Sequence, residues 1–262
     1  MGANGIFTAG DEVVLRICRT TAPPEQAIWL AGELLRRGVR VPPAVRDTPF
    51  RSGDLAVFAV ARIEPVGQVD WHEVGEMIAR VHTIEPAVVI GHHPLPWCGS
   101  FQWWDFPKLL VEVGELIDGP ARRALAAAIE RCWPLVEASR AELTVVCHGD
   151  VHPGNVLPTA AGMVLLDWDL LCFGPPAWDH AALMTWSDRW GGVPKVYEAF
   201  AEGYGRSLRG VPAAEAFAEL RLVAATLMRV RAGLTDLAAA AEAGRRLRWW
   251  RGDPDAPAWQ AQ

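Results

Sequence analysis

Three side chains suited to one kind of chemistry stand close together in the chain. Asp150 and Asn155 lie five positions apart in His148–Asn155 (HGDVHPGN), and Asp167 follows twelve positions later. This set suits phosphoryl transfer from a nucleotide. That reaction needs one carboxylate to orient the attacking hydroxyl and accept its proton, and another to hold a divalent cation against the phosphates. An amide oxygen commonly completes the cation's ligands. Magnesium takes hard oxygen donors, so Asp and Asn fit it. Pro153-Gly154 forces a tight, irregular loop, which lets Asp150 and Asn155 turn toward one point. Asp167 closes the apolar run Met163–Leu166; if that run is a strand, the carboxylate stands at its mouth, facing the loop. A second chemistry is open to the same stretch, with His148, Asp150 and His152 as metal ligands of a hydrolase. Alternate positions of a strand converge in that way, but Pro153-Gly154 favours a loop and no remote third ligand set stands out.

The elements that must position these groups can be read from periodicity. Gly5–Ala9 and Glu12–Cys18 are short strands joined by a Gly-Asp turn. Thr20–Pro24 is a loop, and Glu25–Arg37 is a helix with Ile28, Ala31, Leu34 and Leu35 at helical spacing and Gly38 as its stop. Val39–Val45 is extended, and Asp54–Ile63 is an apolar run that reads as a buried strand. Trp71–His82 is an amphipathic helix with Val74, Met77, Ile78 and Val81 on one side. Further helices are expected at Pro107–Ile117, Ala121–Ser139, Ala177–Asp188, Val193–Leu208 and Ala213–Trp250, with Gly252–Gln262 as a loose tail. The pattern predicts an α+β fold of two lobes: a small β-rich lobe over residues 1–63 and a larger helical lobe over 64–262, with the boundary near Ile63–Gly67.

The motifs carry a resemblance. His148-Gly149-Asp150 through Asn155, then a strand and Asp167-Trp168-Asp169, resembles the aminoglycoside phosphotransferase family, part of the kinase-like small-molecule phosphotransferases that include choline and homoserine kinases. Gly174–Asp179 (GPPAWD), Ala79–His82 (ARVH) and Gly38–Pro42 (GVRVP) resemble further segments of that family. The resemblance implies a protein-kinase-like two-lobe fold. It makes Asp150 the catalytic base and Asn155 and Asp167 the magnesium ligands, with His148 and Asp179 bracing the loop and Asp169 a weaker candidate for a metal or substrate contact. It puts Ala61 and Ile63 at the hinge, as backbone contacts for the nucleobase. The lysine that such a fold places on its third strand is missing, because Lys108 and Lys195 are the chain's only lysines. Val13–Cys18 occupies that place and offers Arg16, which carries the same charge and grips phosphate in a fork. Glu25 is the helix glutamate expected to pair with it. Gly2-Ala3-Asn4-Gly5 resembles the second half of the nucleotide loop, so the first strand is missing or shortened.

The activity implied is an ATP- or GTP-dependent O-phosphotransferase with magnesium, a resistance-type enzyme acting on an aminoglycoside or other hydroxylated antibiotic. A metabolic kinase for a sugar or amino-alcohol, and a nucleotide-binding pseudo-enzyme without transfer activity, are the alternatives. Composition narrows the partners. A formal net charge of −6 over 262 residues argues against a nucleic-acid binder and suits a cationic small molecule. Asp188, Glu198 and Glu202 are acidic residues expected near the acceptor. Five scattered cysteines without a C-x-x-C pair, no secretory signal and no membrane-length apolar run point to the cytoplasm and away from membranes. Monomer and homodimer are both compatible with the sequence. Three other features have structural readings: His92-His93 as a surface turn, most tryptophans as core, and Arg245–Arg251 (RRLRWWR) as the cationic end of an amphipathic helix.

Overall fold

The computed structural model describes residues 5–19, 24–53 and 55–261, with the side chains of Cys18 and Arg19 outside that description. The start of the nucleotide-loop segment, most of the Thr20–Pro24 loop and Asp54 therefore lie outside the described residues. In chain order the elements are β1 (Gly5–Ala9), β2 (Val13–Arg19), α1 (Pro24–Arg36), β3 (Phe50–Ser52), β4 (Leu55–Ala61), α2 (Trp71–Val81), α3 (Pro86–Ile90), α4 (Phe106–Val113), α5 (Gly119–Ala138), β5 (Val145–Cys147), β6 (Val156–Thr159) and β7 (Gly162–Leu165). They continue with β8 (Cys172–Gly174), α6 (Ala177–Met184), α7 (Trp186–Arg189), α8 (Val196–Tyr204), α9 (Pro212–Ala232) and α10 (Leu237–Trp250). No helix of the described residues is long and apolar enough to cross a membrane.

The chain divides into two compact units, each assembled from separate stretches. One comprises Met1–Pro96, Val145–Phe173 and Ala199–Arg206; the other comprises Trp97–Thr144, Gly174–Glu198 and Ser207–Gln262. The sequence reading draws a single boundary near Ile63–Gly67, whereas this division groups the catalytic stretch with the small sheet.

In the first unit the sheet runs in the order β1-β2-β4-β3, all antiparallel. Side chains alternate between faces along a strand. The register sets Ile6 opposite Arg16, Arg16 opposite Phe58, and Val14 opposite Val60, so these five side chains share one face. Asp54–Ile63 reads as a buried strand, yet in β4 only Ala56 is fully buried. Its apolar residues serve a cavity wall, a use that composition does not distinguish from a core. The three-residue β3 pairs with β4 and carries no periodic signal of its own. Leu30 and Leu34 of α1 are buried. Helix α2 begins where Asp70 accepts hydrogen bonds from the backbone N–H groups of His72 and Glu73, an N-cap. It buries Val74, Met77, Ile78 and Val81, the side that its spacing predicts.

The second unit is nearly all helical. Its long helix α9 packs against α4, α5, α6 and α10. The single helix expected over Ala213–Trp250 is two helices. Gly233 ends α9, and Asp236 caps α10 by accepting from the N–H groups of Ala238 and Ala239. The expected helix Ala177–Asp188 likewise breaks at Thr185. The tail expected to be loose is docked. Trp259 is buried, its backbone N–H donates to the Arg189 carbonyl at 2.8 Å, and the Gln260 carbonyl accepts from Arg246 at 3.0 Å. A lone aromatic among polar residues gave no periodicity, but burying a tryptophan removes enough apolar surface to order a short segment. Arg246 is itself buried and paired with the buried Glu242 at 2.9 Å, which agrees with the structural reading of the RRLRWWR stretch.

Candidate active site

The candidate catalytic stretch, Val145–Leu171, is held by its own backbone and by His148. This imidazole is buried between Asp150 and the end of β7. Its Nδ1 accepts from the Asp150 N–H at 3.2 Å, so the ring proton sits on Nε2, which donates to the Leu166 carbonyl at 2.9 Å. The ring also packs against the Trp168 indole, 4.4 Å between centroids. One neutral histidine thus ties the residue that precedes Asp167 to the loop that carries Asp150. Such a role is incompatible with His148 as a metal ligand in a hydrolase. Gly149 is required where it stands. Its φ is +94°, and a Cβ there would run into the Leu170 carbonyl.

Asn155 is almost fully buried and completes the loop. Its Nδ2 donates to the Asp150 carbonyl at 2.9 Å, and its backbone carbonyl accepts from the Leu166 N–H at 2.9 Å. The amide nitrogen is committed inward, so Oδ1 is the end that can meet a cation. His152 accepts from the Gly154 N–H at 3.1 Å through Nδ1, and its Nε2 stands 3.4 Å from Asp150 Oδ2. Asp167 adopts a left-handed backbone, φ 57°, immediately after β7. That conformation costs an ordinary residue roughly 1–3 kcal/mol and clusters at functional positions. Here it turns the chain so that a 3-10 turn, Trp168–Leu170, follows at once.

A cavity of about 530 Å³ lies between the sheet and Asn155, Asp167 and Asp169 of this stretch. Its wall includes Ile6, Val14, Arg16, Phe58 and Val60 from the sheet, Ala61 and Ile63 after it, and Asn155, Asp167 and Asp169 from the catalytic stretch. Arg16 reaches across it. Its guanidinium hydrogen-bonds Asp167 Oδ1 at 3.2 Å and also bonds Asp169, and it lies 5.8 Å over the Phe58 ring. The donor chemistry fits a magnesium ion: Asn155 Oδ1 and the Asp167 carboxylate are hard oxygens on one cavity wall. After β4, the Ala61 N–H already donates to the Pro43 carbonyl at 2.9 Å, which leaves its carbonyl as the backbone group it can offer a ligand.

Arg16, Ala61, Ile63, Asn155 and Asp167 therefore meet around one cavity, with Asp150 hydrogen-bonded to Asn155 beside it. Glu25 is not among them. It is half exposed and bonded to Arg51 at 2.6 Å, and the arginine's hydrogen bond holds its carboxyl below the usual carboxylate range. The pairing of Glu25 with Arg16 expected from the sequence is thus corrected: Arg16 turns to the catalytic stretch. Asp179 is fully buried on α6, in the second unit.

Two features were missed in the sequence. His93, read as a surface turn, lines the cavity, and burial holds its imidazole below the ordinary value, the nearby Asp169 opposing that shift. Its neighbour His92 stacks on Trp29 of α1. A His-His-Pro triplet has no periodicity to betray this. The other is a clamp on β7. Glu73 and Arg40 form an ion pair, Glu73 Oε2 accepts from the Met163 N–H at 3.0 Å, and Arg40 Nε donates to the Met163 carbonyl at 3.0 Å. Both ends of that peptide edge are held four residues before Asp167. Its only local signal is Gly162, where a Cβ would meet both clamp side chains.

Comparison with known proteins identifies the family and the fold. The model of the phosphotransferase enzyme family matches residues 7–220. A sequence search of curated proteins finds no match. Among solved structures, the GDP and kanamycin complex of APH(2")-IIia superposes with a TM-score of 0.71 at 14% identity, covering 95% of this chain and 90% of that one. A choline/ethanolamine kinase family protein from Mesorhizobium loti gives 0.68 at 17% identity, covering 97% and 86%. The macrolide 2'-phosphotransferase MphH from Brachybacterium faecium gives 0.58 at 20% identity, covering 93% and 88%. With its small β-rich lobe and larger helical lobe, this chain belongs to the phosphotransferase enzyme family and has the protein-kinase-like fold of the aminoglycoside phosphotransferases and choline kinases.

Proposed function

We propose that the protein is a nucleotide-dependent O-phosphotransferase, moving the γ-phosphate of ATP or GTP to a hydroxyl of a small molecule. The observation that carries this reading is the meeting of Arg16, Asn155 and Asp167 around one cavity, with Asp150 hydrogen-bonded to Asn155. Asp150 orients the acceptor hydroxyl and takes its proton as the oxygen attacks phosphorus. Asn155 and Asp167 hold magnesium, which when bound neutralises charge on the phosphates. Arg16 steadies those phosphates from the sheet. The apolar side chains of Val14, Val60 and Ile63 flank the base, and the Ala61 carbonyl and Ile63 N–H address its edge.

The acceptor of first choice is an aminoglycoside or another hydroxylated antibiotic. Solved relatives hold kanamycin with GDP, spectinomycin with ADP, and hygromycin B with AMP-PNP. The chain's net charge of −6 suits a cationic acceptor. A second reading, a metabolic kinase for an amino-alcohol, is favoured by the likeness to a choline/ethanolamine kinase family protein. A panel of aminoglycosides, spectinomycin, macrolides, choline and ethanolamine, each with ATP and with GTP, separates the two. Acceptor-dependent release of nucleoside diphosphate identifies the class. Nucleotide binding without release across the panel would point to a pseudo-enzyme.

A further inference from the structure

We propose that Asp169, rather than a glutamate of α1, is the anchor of Arg16. The phosphate-steadying cation is then held by the same turn that carries the metal ligand Asp167. The inference rests on reading the cavity as a nucleotide site.

An arginine on a strand is useful against phosphates only if something fixes its long side chain, which otherwise loses its rotamer freedom when it orders on them. Kinases fix the equivalent lysine with a glutamate from the helix beside the sheet. In this chain that helix offers none to the cavity. The α1 residues on the cavity wall are Ala27, Ile28, Leu30, Ala31 and Leu34, all apolar. Its glutamates are committed elsewhere: Glu25 to Arg51, and Glu33 to Arg36 and Arg37. The carboxylates that do hold Arg16 come from the opposite wall, Asp169 and Asp167.

These two cannot serve alike. A divalent cation at Asp167 repels the guanidinium from that carboxylate. Asp169, two residues on in the 3-10 turn, then keeps Arg16 beside the phosphates. Asp167, in a left-handed backbone, and Asp169 both reach the same guanidinium nitrogen of Arg16. Asp169 is thus a positioning residue for Arg16, and the position of Arg16 is tied to the metal-binding turn and independent of α1.

The test is a double-substitution cycle read by calorimetric binding of ADP in saturating magnesium, which needs no turnover. Asp169→Asn is expected to weaken ADP about tenfold in the wild-type background and less than twofold beside Arg16→Met. The magnesium concentration for half-maximal ADP binding should stay the same in Asp169→Asn, and Glu25→Gln should bind ADP like wild type. An equal loss from Asp169→Asn in both backgrounds would make Asp169 a metal ligand and overturn the proposal. Tighter ADP binding in both backgrounds would overturn it too, by making Asp169 a repulsive charge. So would a loss in Glu25→Gln that disappears beside Arg16→Met. Asp169→Ser provides the same cycle if the Asn variant folds poorly, with folding checked by thermal melting. Wild-type protein that fails to bind ADP at all would contradict the nucleotide-site reading itself, a separate result.

Discussion

The catalytic stretch Val145–Leu171 and helix α1 flank the same cavity and contribute to it in opposite ways. The stretch is dense in polar groups, and the ones that matter are fixed. His148 joins the Asp150 N–H to the Leu166 carbonyl, Asn155 bonds the Asp150 carbonyl, and Arg40 and Glu73 grip Met163. Helix α1 presents only apolar residues to the cavity and spends its glutamates on arginines elsewhere. The charges of this site are therefore governed from one side of the cavity. Both the candidate metal ligand and the partner of Arg16 sit on one turn, and α1 supplies a wall. A buried polar network of this kind is costly to break at any member, whereas an apolar wall tolerates conservative change.

Substitutions can break or sharpen that contrast. The largest effect is expected at His148. His148→Ala leaves the part-buried Leu166 carbonyl without its donor, a loss of about 1 kcal/mol, and loosens the link between Asp150 and Asp167. Transfer should fall about 10–100-fold, as for other supporting partners of a metal site. Denaturant unfolding and steady-state rates check the two parts. Gly149→Ala should destabilise by roughly 1–3 kcal/mol through its positive φ, and further through the clash with Leu170, seen as a lower melting temperature. On the other wall, Ile28→Val should cost no more than about 1.5 kcal/mol and leave nucleotide affinity within twofold. A tenfold loss there would mean that α1 governs the site after all.

The smallest effect concerns pH. Burial holds the His93 pKa below its ordinary 6.5, so the folded state favours the neutral ring. Its contribution to stability is full above the unfolded value and is lost as pH falls through the lower folded value. Wild-type melting temperature should therefore decline more steeply below pH 6.5 than that of His93→Asn. Asp169 and Arg16 line the same cavity as His93, so the comparison is best made without nucleotide.

What was legible in the sequence follows the same divide. The gathering of Asp150, Asn155 and Asp167 could be read because they stand at short, fixed spacing, within eighteen positions of the chain. Helix α2 was legible because its apolar side repeats with the helical period. The partner of Arg16 was not, since it depends on which carboxylate tertiary structure brings within reach, and a glutamate on α1 and an aspartate 153 positions away look equally available. Arg40 and Glu73 act through backbone bonds to Met163, which leave no trace in side-chain pattern. Trp259 shows the same limit in the second unit, where one buried ring orders a tail that composition marks as loose.

The central claim is that Asp150 serves phosphoryl transfer from a nucleotide bound in this cavity. It is tested most directly by comparing wild type with Asp150→Ala for transfer of labelled γ-phosphate to an acceptor identified by the panel. The account predicts a loss of about 10²–10⁴-fold in transfer, with ADP affinity within a few-fold of wild type and folding intact. Undiminished transfer in Asp150→Ala would contradict it.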